Sequence, residues 1–96
     1  MTRVRLRGRL ICTDDDQVRI IEQELPRHVE LTRAEDGCDE FSVEPSGEAG
    51  VWMVQERFRD AEAFAAHQAR VAASAWGRET AGIRRDYEID GLPTES

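Results

Sequence analysis

Residues 51–67, VWMVQERFRDAEAFAAH, read as a strand, a short break and a helix, and the rest of the chain is placed around them. Val51, Trp52, Met53 and Val54 open an apolar, β-favouring run that passes through Gln55, Glu56 and Arg57 to Phe58. Asp60 then supplies a helix N-cap, Glu62 sits in the first turn, and an Ala-rich helix carries Phe64 and His67. These two residues are three apart and therefore share one helix face. Glu56 falls in phase with Trp52, Val54 and Phe58, which puts a carboxylate on an otherwise apolar strand face.

On the N-terminal side, residues 3–13 alternate. Val4, Leu6, Gly8, Leu10 and Cys12 share one face, and Arg3, Arg5, Arg7 and Arg9 the other, as in a strand with one face on a core. The arginine face is expected to be solvated, with acids of a partner subunit as the alternative. Asp14, Asp15 and Asp16 are N-cap and first-turn acids for a helix whose Val18, Ile21, Leu25 and Val29 recur at helical spacing. Pro26 predicts a kink or break there, with a second helical piece running to about Arg33, because an interior proline costs a helix about 3 kcal/mol. His28 sits among charges on this helix and is expected to be solvated. Gly37 ends the helical stretch, and residues 38–45 alternate again with Phe41 and Val43 on one face.

Residues 45–50, PSGEAG, have turn composition, so the second and third strands form a hairpin. Beyond His67 the helix is expected to run through Val71 to about Ser74. Residues 75–82, with Trp76 and two glycines, read as a short helical turn with loops. Residues 83–89, IRRDYEI, form the last strand, with Ile83, Arg85, Tyr87 and Ile89 on one side. The order β–α–β–β–α–β is the α+β, ferredoxin-like plan, a four-stranded antiparallel sheet with helices on one face. Residues 1–90 make one domain, and residues 91–96 are expected to be a frayed C-terminal tail.

A 96-residue chain suits one domain, and dimerisation would help one this small to bury surface. The net charge of -7 argues against nucleic acid or an anionic membrane as partner. Every basic residue is Arg, so the absence of Lys excludes a Schiff-base mechanism. The N-terminus lacks a signal-peptide layout and no apolar run is long enough to cross a bilayer, so a cytoplasmic location is expected. Cys12 and Cys38 are too few for a disulfide scaffold and are expected to be reduced, buried thiols.

His67 is the group best suited to accept a proton at neutral pH. A nearby Glu56 carboxylate would fix its tautomer and raise its basicity; the alternative is a structural hydrogen bond closing the strand-to-helix corner. Trp76, in its loop-like segment, is the leading candidate to stack on a planar ligand, with Phe41 and Phe64 lining the same pocket. Trp52 is a second stacking candidate, but it and Phe64 read first as plain core. Arg33 and Arg85 can stabilise an enolate or carboxylate, or pair with one of the twenty acids. Tyr87 reads as core or interface. Two histidines 39 apart and two cysteines 26 apart make no metal site, and no Gly-rich loop follows a strand to bind a nucleotide.

Several of these pieces resemble one family, the antibiotic biosynthesis monooxygenase superfamily. Residues 32–38, TRAEDGC, are similar to its R-x-E-x-G-C turn, and Phe41 follows in the next strand. Glu56 and residues 60–67, DAEAFAAH, are similar to its E-x-[WF]-x-D-x-E-A-[FL]-x-x-H segment. His67-Gln68-Ala69 and Ser74-Ala75-Trp76-Gly77-Arg78 resemble a quinol-monooxygenase subset. The resemblance implies a homodimer with sheets packed face to face and a pocket in each subunit between sheet and helices. It implies oxidation of a small aromatic (quinol, phenol or anthrone) by O2 with no metal, haem or flavin cofactor, the deprotonated substrate itself reacting with oxygen. In that picture His67 is the base, Glu56 its orienter, and Trp76, Phe41 and Phe64 the pocket. The chain has no Asn, so the Asn-containing constellations of polyketide-oxidising and haem-degrading members are incomplete here and haem degradation is disfavoured. Two alternatives stand beside this reading: a cofactor-free isomerase of a small carbonyl compound, and a non-catalytic dimeric binding or accessory protein, which a pocket filled by Trp76 would favour.

Overall fold

The computed structural model describes residues 2–92. Its elements are β1 (Val4–Ile11), α1 (Asp15–Arg33), β2 (Cys38–Pro45), β3 (Val51–Phe58), α2 (Ala61–Ala72), α3 (Ala75–Glu79) and β4 (Arg84–Asp90). The strands form one antiparallel sheet in the order β2-β3-β1-β4. This is the expected ferredoxin-like arrangement, with α3 as a third, short helix. Of the expected tail, only Gly91 and Leu92 lie among the described residues; 93–96 lie outside them.

Alternation decides which side of the sheet is covered. Val4, Leu6 and Leu10 of β1, Phe41 and Val43 of β2, and Trp52, Val54 and Phe58 of β3 are buried with Ile21, Phe64, Trp76 and Ile83 from the helical layer and its connections. Glu56 is buried in phase with the β3 residues, as its spacing predicts. Gly8 lets β4 approach β1, since a Cβ there would run into the backbone of Asp86 and Tyr87. The 45–50 turn places Gly47 and Gly50 at φ of 96° and 76°, where a side chain is disfavoured.

The opposite side of the sheet is charged in columns. Cross-strand registry gives the rows Glu40–Arg57–Arg5–Asp90, Ser42–Gln55–Arg7–Glu88 and Glu44–Met53–Arg9–Asp86 across β2, β3, β1 and β4. The arginine face of β1 thus meets acids of its own chain: Arg9 lies 2.8 Å from Asp86 and Arg7 3.9 Å from Glu88, in exposed pairs. Exposed pairs of this kind add little to stability, because water and salt screen them.

Three local expectations are corrected. First, α1 runs unbroken through Pro26, which lies on its exposed side. The carbonyl that a proline nitrogen leaves without a partner is therefore next to water, and packing on both sides of it carries the helix through. Second, His28 is buried, 4% exposed, because the inward stripe of α1 is Ile21, Leu25, His28 and Thr32. Third, Cys12 and Cys38 are free thiols as expected but only half-buried, each near the end of a strand rather than within the core.

Candidate active site

Asp60 caps α2 by accepting the Ala63 N–H at 2.8 Å, and the helix it starts turns Phe64 and His67 inward. His67 is 2% exposed. Its Nδ1 lies 2.7 Å from Oε1 of Glu35, in the turn that follows α1. Arg70, one turn further along α2, donates from Nη2 to the same Glu35 oxygen at 3.3 Å and to Thr32 Oγ1 at 2.9 Å. A carboxylate at Nδ1 holds the ring proton on that nitrogen and leaves the lone pair on Nε2.

Nε2 faces Oε1 of Glu56 at 3.7 Å, beyond hydrogen-bond range, and that oxygen has no partner among the described residues although it is buried. The group expected to orient His67 is therefore on the other side of the ring: Glu35 holds the imidazole, and Glu56 confronts its free nitrogen. Burial, reinforced by the Glu35 charge and opposed by Arg85, pushes the Glu56 carboxyl up to about 7. Burial also moves His67 down against the Glu35 hydrogen bond, with Arg70 adding to the lowering. At neutral pH the contact is thus between a neutral imidazole and a carboxyl near half-protonation, two groups able to exchange one proton, rather than an ion pair.

Aromatic rings enclose this pair. Phe58 lies 4.7 Å from the His67 ring centre and Phe41 6.1 Å from it. His28 stacks flat on Trp76, with centroids 4.4 Å apart and planes 3° from parallel, and presents its other contacts to Phe41 at 5.2 Å and His67 at 6.2 Å. Burial, with the charges of His67, Arg70 and Arg85 adding, lowers His28 to about 3, so it is neutral.

His67, Glu56, Phe41 and Trp76 are therefore brought into one buried group. Phe64 packs against Phe58, at 5.6 Å and 61°, as part of the core behind it. Arg33 and Arg85 are engaged elsewhere. Arg33 donates to the Phe41 carbonyl at 3.0 and 3.2 Å, and Arg85 to the carbonyls of Thr80 and Ile83 and to Thr80 Oγ1, tying the end of α3 to β4. Burial pushes the Tyr87 hydroxyl up to about 12, which suits a packing residue beside Gly8.

Glu35, Arg70 and His28 are the members that sequence reasoning missed. The seven-residue step from Ile21 to His28 carried the signal for the histidine; Glu35 stood in the R-x-E-x-G-C-like turn, but nothing in the sequence paired it with His67, 32 residues away. A narrow cleft of about 30 Å³, lined by His28, Leu31, Arg70 and Trp76 among others, reaches this group from between the helices. Trp76 fills the space beside His28. Among the described residues no group of three or more His, Cys, Asp or Glu side chains is arranged to hold a metal ion, and no helix is long and apolar enough to cross a membrane.

The family profile described as antibiotic biosynthesis monooxygenase matches residues 9–79. No curated protein matches the sequence significantly. Among solved structures, Rv0793 from Mycobacterium tuberculosis is 20% identical, with a TM-score of 0.73 over 99% of this chain and 99% of that one. A Deinococcus radiodurans protein named "putative antibiotic biosynthesis monooxygenase" is 18% identical, with a TM-score of 0.69 over 97% and 95% of the two chains. A Bacteroides thetaiotaomicron protein described as a "possible oxidoreductase" is 21% identical, with a TM-score of 0.68 over 92% and 95%. At these identities the likeness is one of fold.

Proposed function

Because the chain belongs to the antibiotic biosynthesis monooxygenase family, we propose that it is a cofactor-independent monooxygenase acting on a small aromatic, a quinol, phenol or anthrone, with O2. The observation that carries this reading is the chain of contacts Glu35–His67–Glu56 within an aromatic enclosure. Glu35 keeps the proton on Nδ1, and Nε2 takes a proton from the substrate hydroxyl or its activated carbon. Glu56 receives or returns that proton. The resulting anion reacts directly with O2: one oxygen atom becomes a product carbonyl, the other leaves as water, and the substrate supplies all four electrons. The chain's part is to hold the ring, remove the proton and exclude water. Entry of a ring requires Trp76 to turn aside, and Trp76 sits on the five-residue α3. The same reading takes the protein as a homodimer, supported by the small core of a chain this size.

Two observations favour the alternatives. A neutral imidazole facing a carboxyl near half-protonation suits a proton shuttle, hence an isomerase of a small carbonyl compound. The stack of Trp76 on His28 leaves the space closed, as expected of a non-catalytic binding module.

Dissolved-oxygen uptake by purified protein with 1,4-naphthohydroquinone, 1-naphthol and anthrone separates them. The expected result is uptake above autoxidation that falls by roughly 10²–10⁴ in His67→Ala, the usual contribution of a general base. Uptake equal in wild type and His67→Ala removes His67 as the base, and no uptake across the panel rejects the oxygenase.

A further inference from the structure

Two side chains beside Trp76, the buried His28 and the half-buried Arg70, hold buried hydrogen-bonding atoms that nothing among the described residues meets. Nδ1 of His28 has no partner, although the residue is 4% exposed. Nε and Nη1 of Arg70 likewise have none, since that guanidinium reaches Thr32 and Glu35 through Nη2 alone. An unpartnered buried polar atom costs about 1–3 kcal/mol, more when it is charged, and native structures rarely keep one without use for it. Here three such atoms belong to two residues that line the same cleft, which at about 30 Å³ has room for one oxygen atom or water. Leu31, Ala75 and Trp76 form its apolar sides, and Glu24, Arg27 and Ser74 complete the lining.

We propose that this cleft is an oxyanion site: Arg70 donates through Nε and Nη1, and His28 through its unpartnered nitrogen completes the shell, around the ionised hydroxyl oxygen of an aromatic ligand. The donor set selects that chemistry. Two N–H groups of a guanidinium favour an anionic acceptor, and a guanidinium remains protonated throughout the useful pH range. The imidazole beside them is neutral, so it adds a hydrogen bond without a second charge. The ring of the ligand takes the space that Trp76 leaves when it turns aside, against Leu31. The inference rests on the aromatic-substrate reading and adds to it the group that stabilises the anion once its proton has gone. Arg70 is also placed for it through sequence: it lies three residues after His67, on the same side of α2, so base and anion holder share one helix face.

The test uses no oxygen, so its outcome is independent of whether the protein is an oxygenase. 4-Nitrophenol, whose phenolate is yellow, is titrated with the full-length protein across pH, and the absorbance reports the pKa of the bound phenol. The expected result is a bound pKa at least about one unit below the free value, equivalent to a tenfold preference for phenolate, as a nearby opposite charge produces. Arg70→Gln is expected to abolish that preference. His28→Phe is expected to weaken binding of both forms about tenfold while leaving the preference for phenolate. Circular dichroism confirms that each variant is folded; should Arg70→Gln fail to fold, Arg70→Lys, which keeps the charge but not the paired donors, is expected to lose at least half of the shift. The proposal is overturned by a bound pKa at or above the free value, by no binding to wild type, or by a shift that survives loss of the Arg70 guanidinium.

Discussion

Glu35 and His67, 32 residues apart in sequence, meet at 2.7 Å through Oε1 and Nδ1, and that contact decides which nitrogen of the ring is free. The ¹⁵N shifts of the imidazole are expected to report an Nδ1–H tautomer in the wild type. Glu35→Ala is expected to give a mixture of tautomers and to cost roughly 1–3 kcal/mol, because His67 and Arg70 both lose an acceptor. Unchanged ¹⁵N shifts in Glu35→Ala would remove Glu35 as the orienter.

Glu56 makes stability depend on pH in a direction opposite to that of a salt-bridged acid. Its folded pKa of about 7 lies above the ordinary value of 4.5, so its contribution is fully present below 4.5 and is lost as pH rises towards 7. Glu56→Gln removes this loss. Relative to wild type, the variant is expected to gain about 3 kcal/mol between pH 4.5 and pH 7.5 in urea denaturation. A stability difference that stays constant over that range would show that Glu56 titrates in the folded protein as it does in the unfolded chain.

His28 acts with the other sign. Its folded pKa of about 3 lies below the ordinary 6.5, so the stability it contributes is present above 6.5 and lost on acidification towards 3. Wild type is expected to lose about 3 kcal/mol more than His28→Phe between pH 7 and pH 4, measured by denaturant unfolding at each pH. Equal losses would mean that the buried imidazole titrates as it does in the unfolded chain. His67, lowered in the same direction, leaves a common slope in both proteins.

The enclosure depends on the core behind it. Phe64→Ala removes the ring that packs edge-on against Phe58, whose other neighbour is His67. A loss of about 3–5 kcal/mol is expected, seen as a lowered urea midpoint. A change below about 1 kcal/mol would show that the α2–sheet contact is not a principal support of the site.

The fold was legible because its signals are local. Alternation in residues 3–13 and 51–58, the turn residues 45–50 and the Asp60 cap each specify an element without reference to any other. Pro26 misled because the cost of an interior proline is an average, and here the freed carbonyl lies on the wet side of a helix anchored by Ile21 before it and His28 and Thr32 after it. Glu56 was legible as a buried carboxylate from strand phase alone. Its expected partnership was not, because two acids compete for one ring and only the three-dimensional closure of the turn after α1 decides which nitrogen each takes. Arg33 and Arg85 look available in sequence because the backbone carbonyls that hold them leave no trace in residue type.

The charged columns on the bare side of the sheet restrict how a second copy could lie against it. A two-fold axis along the strands through the middle of the sheet would set the acids of β2 over the acids of β4, and an axis across the strands would set the arginines of β1 on themselves. Moving the first axis onto β3 displaces the partner by one strand spacing, about 4.8 Å, and brings Glu40 and Glu44 over the row Arg5, Arg7 and Arg9. Of these placements only the last sets acids over arginines, with Arg57 of β3 left facing its own copy. A pair formed that way would be off-centre, and each copy would keep β4 outside the contact, a free edge with Ile89 partly in water.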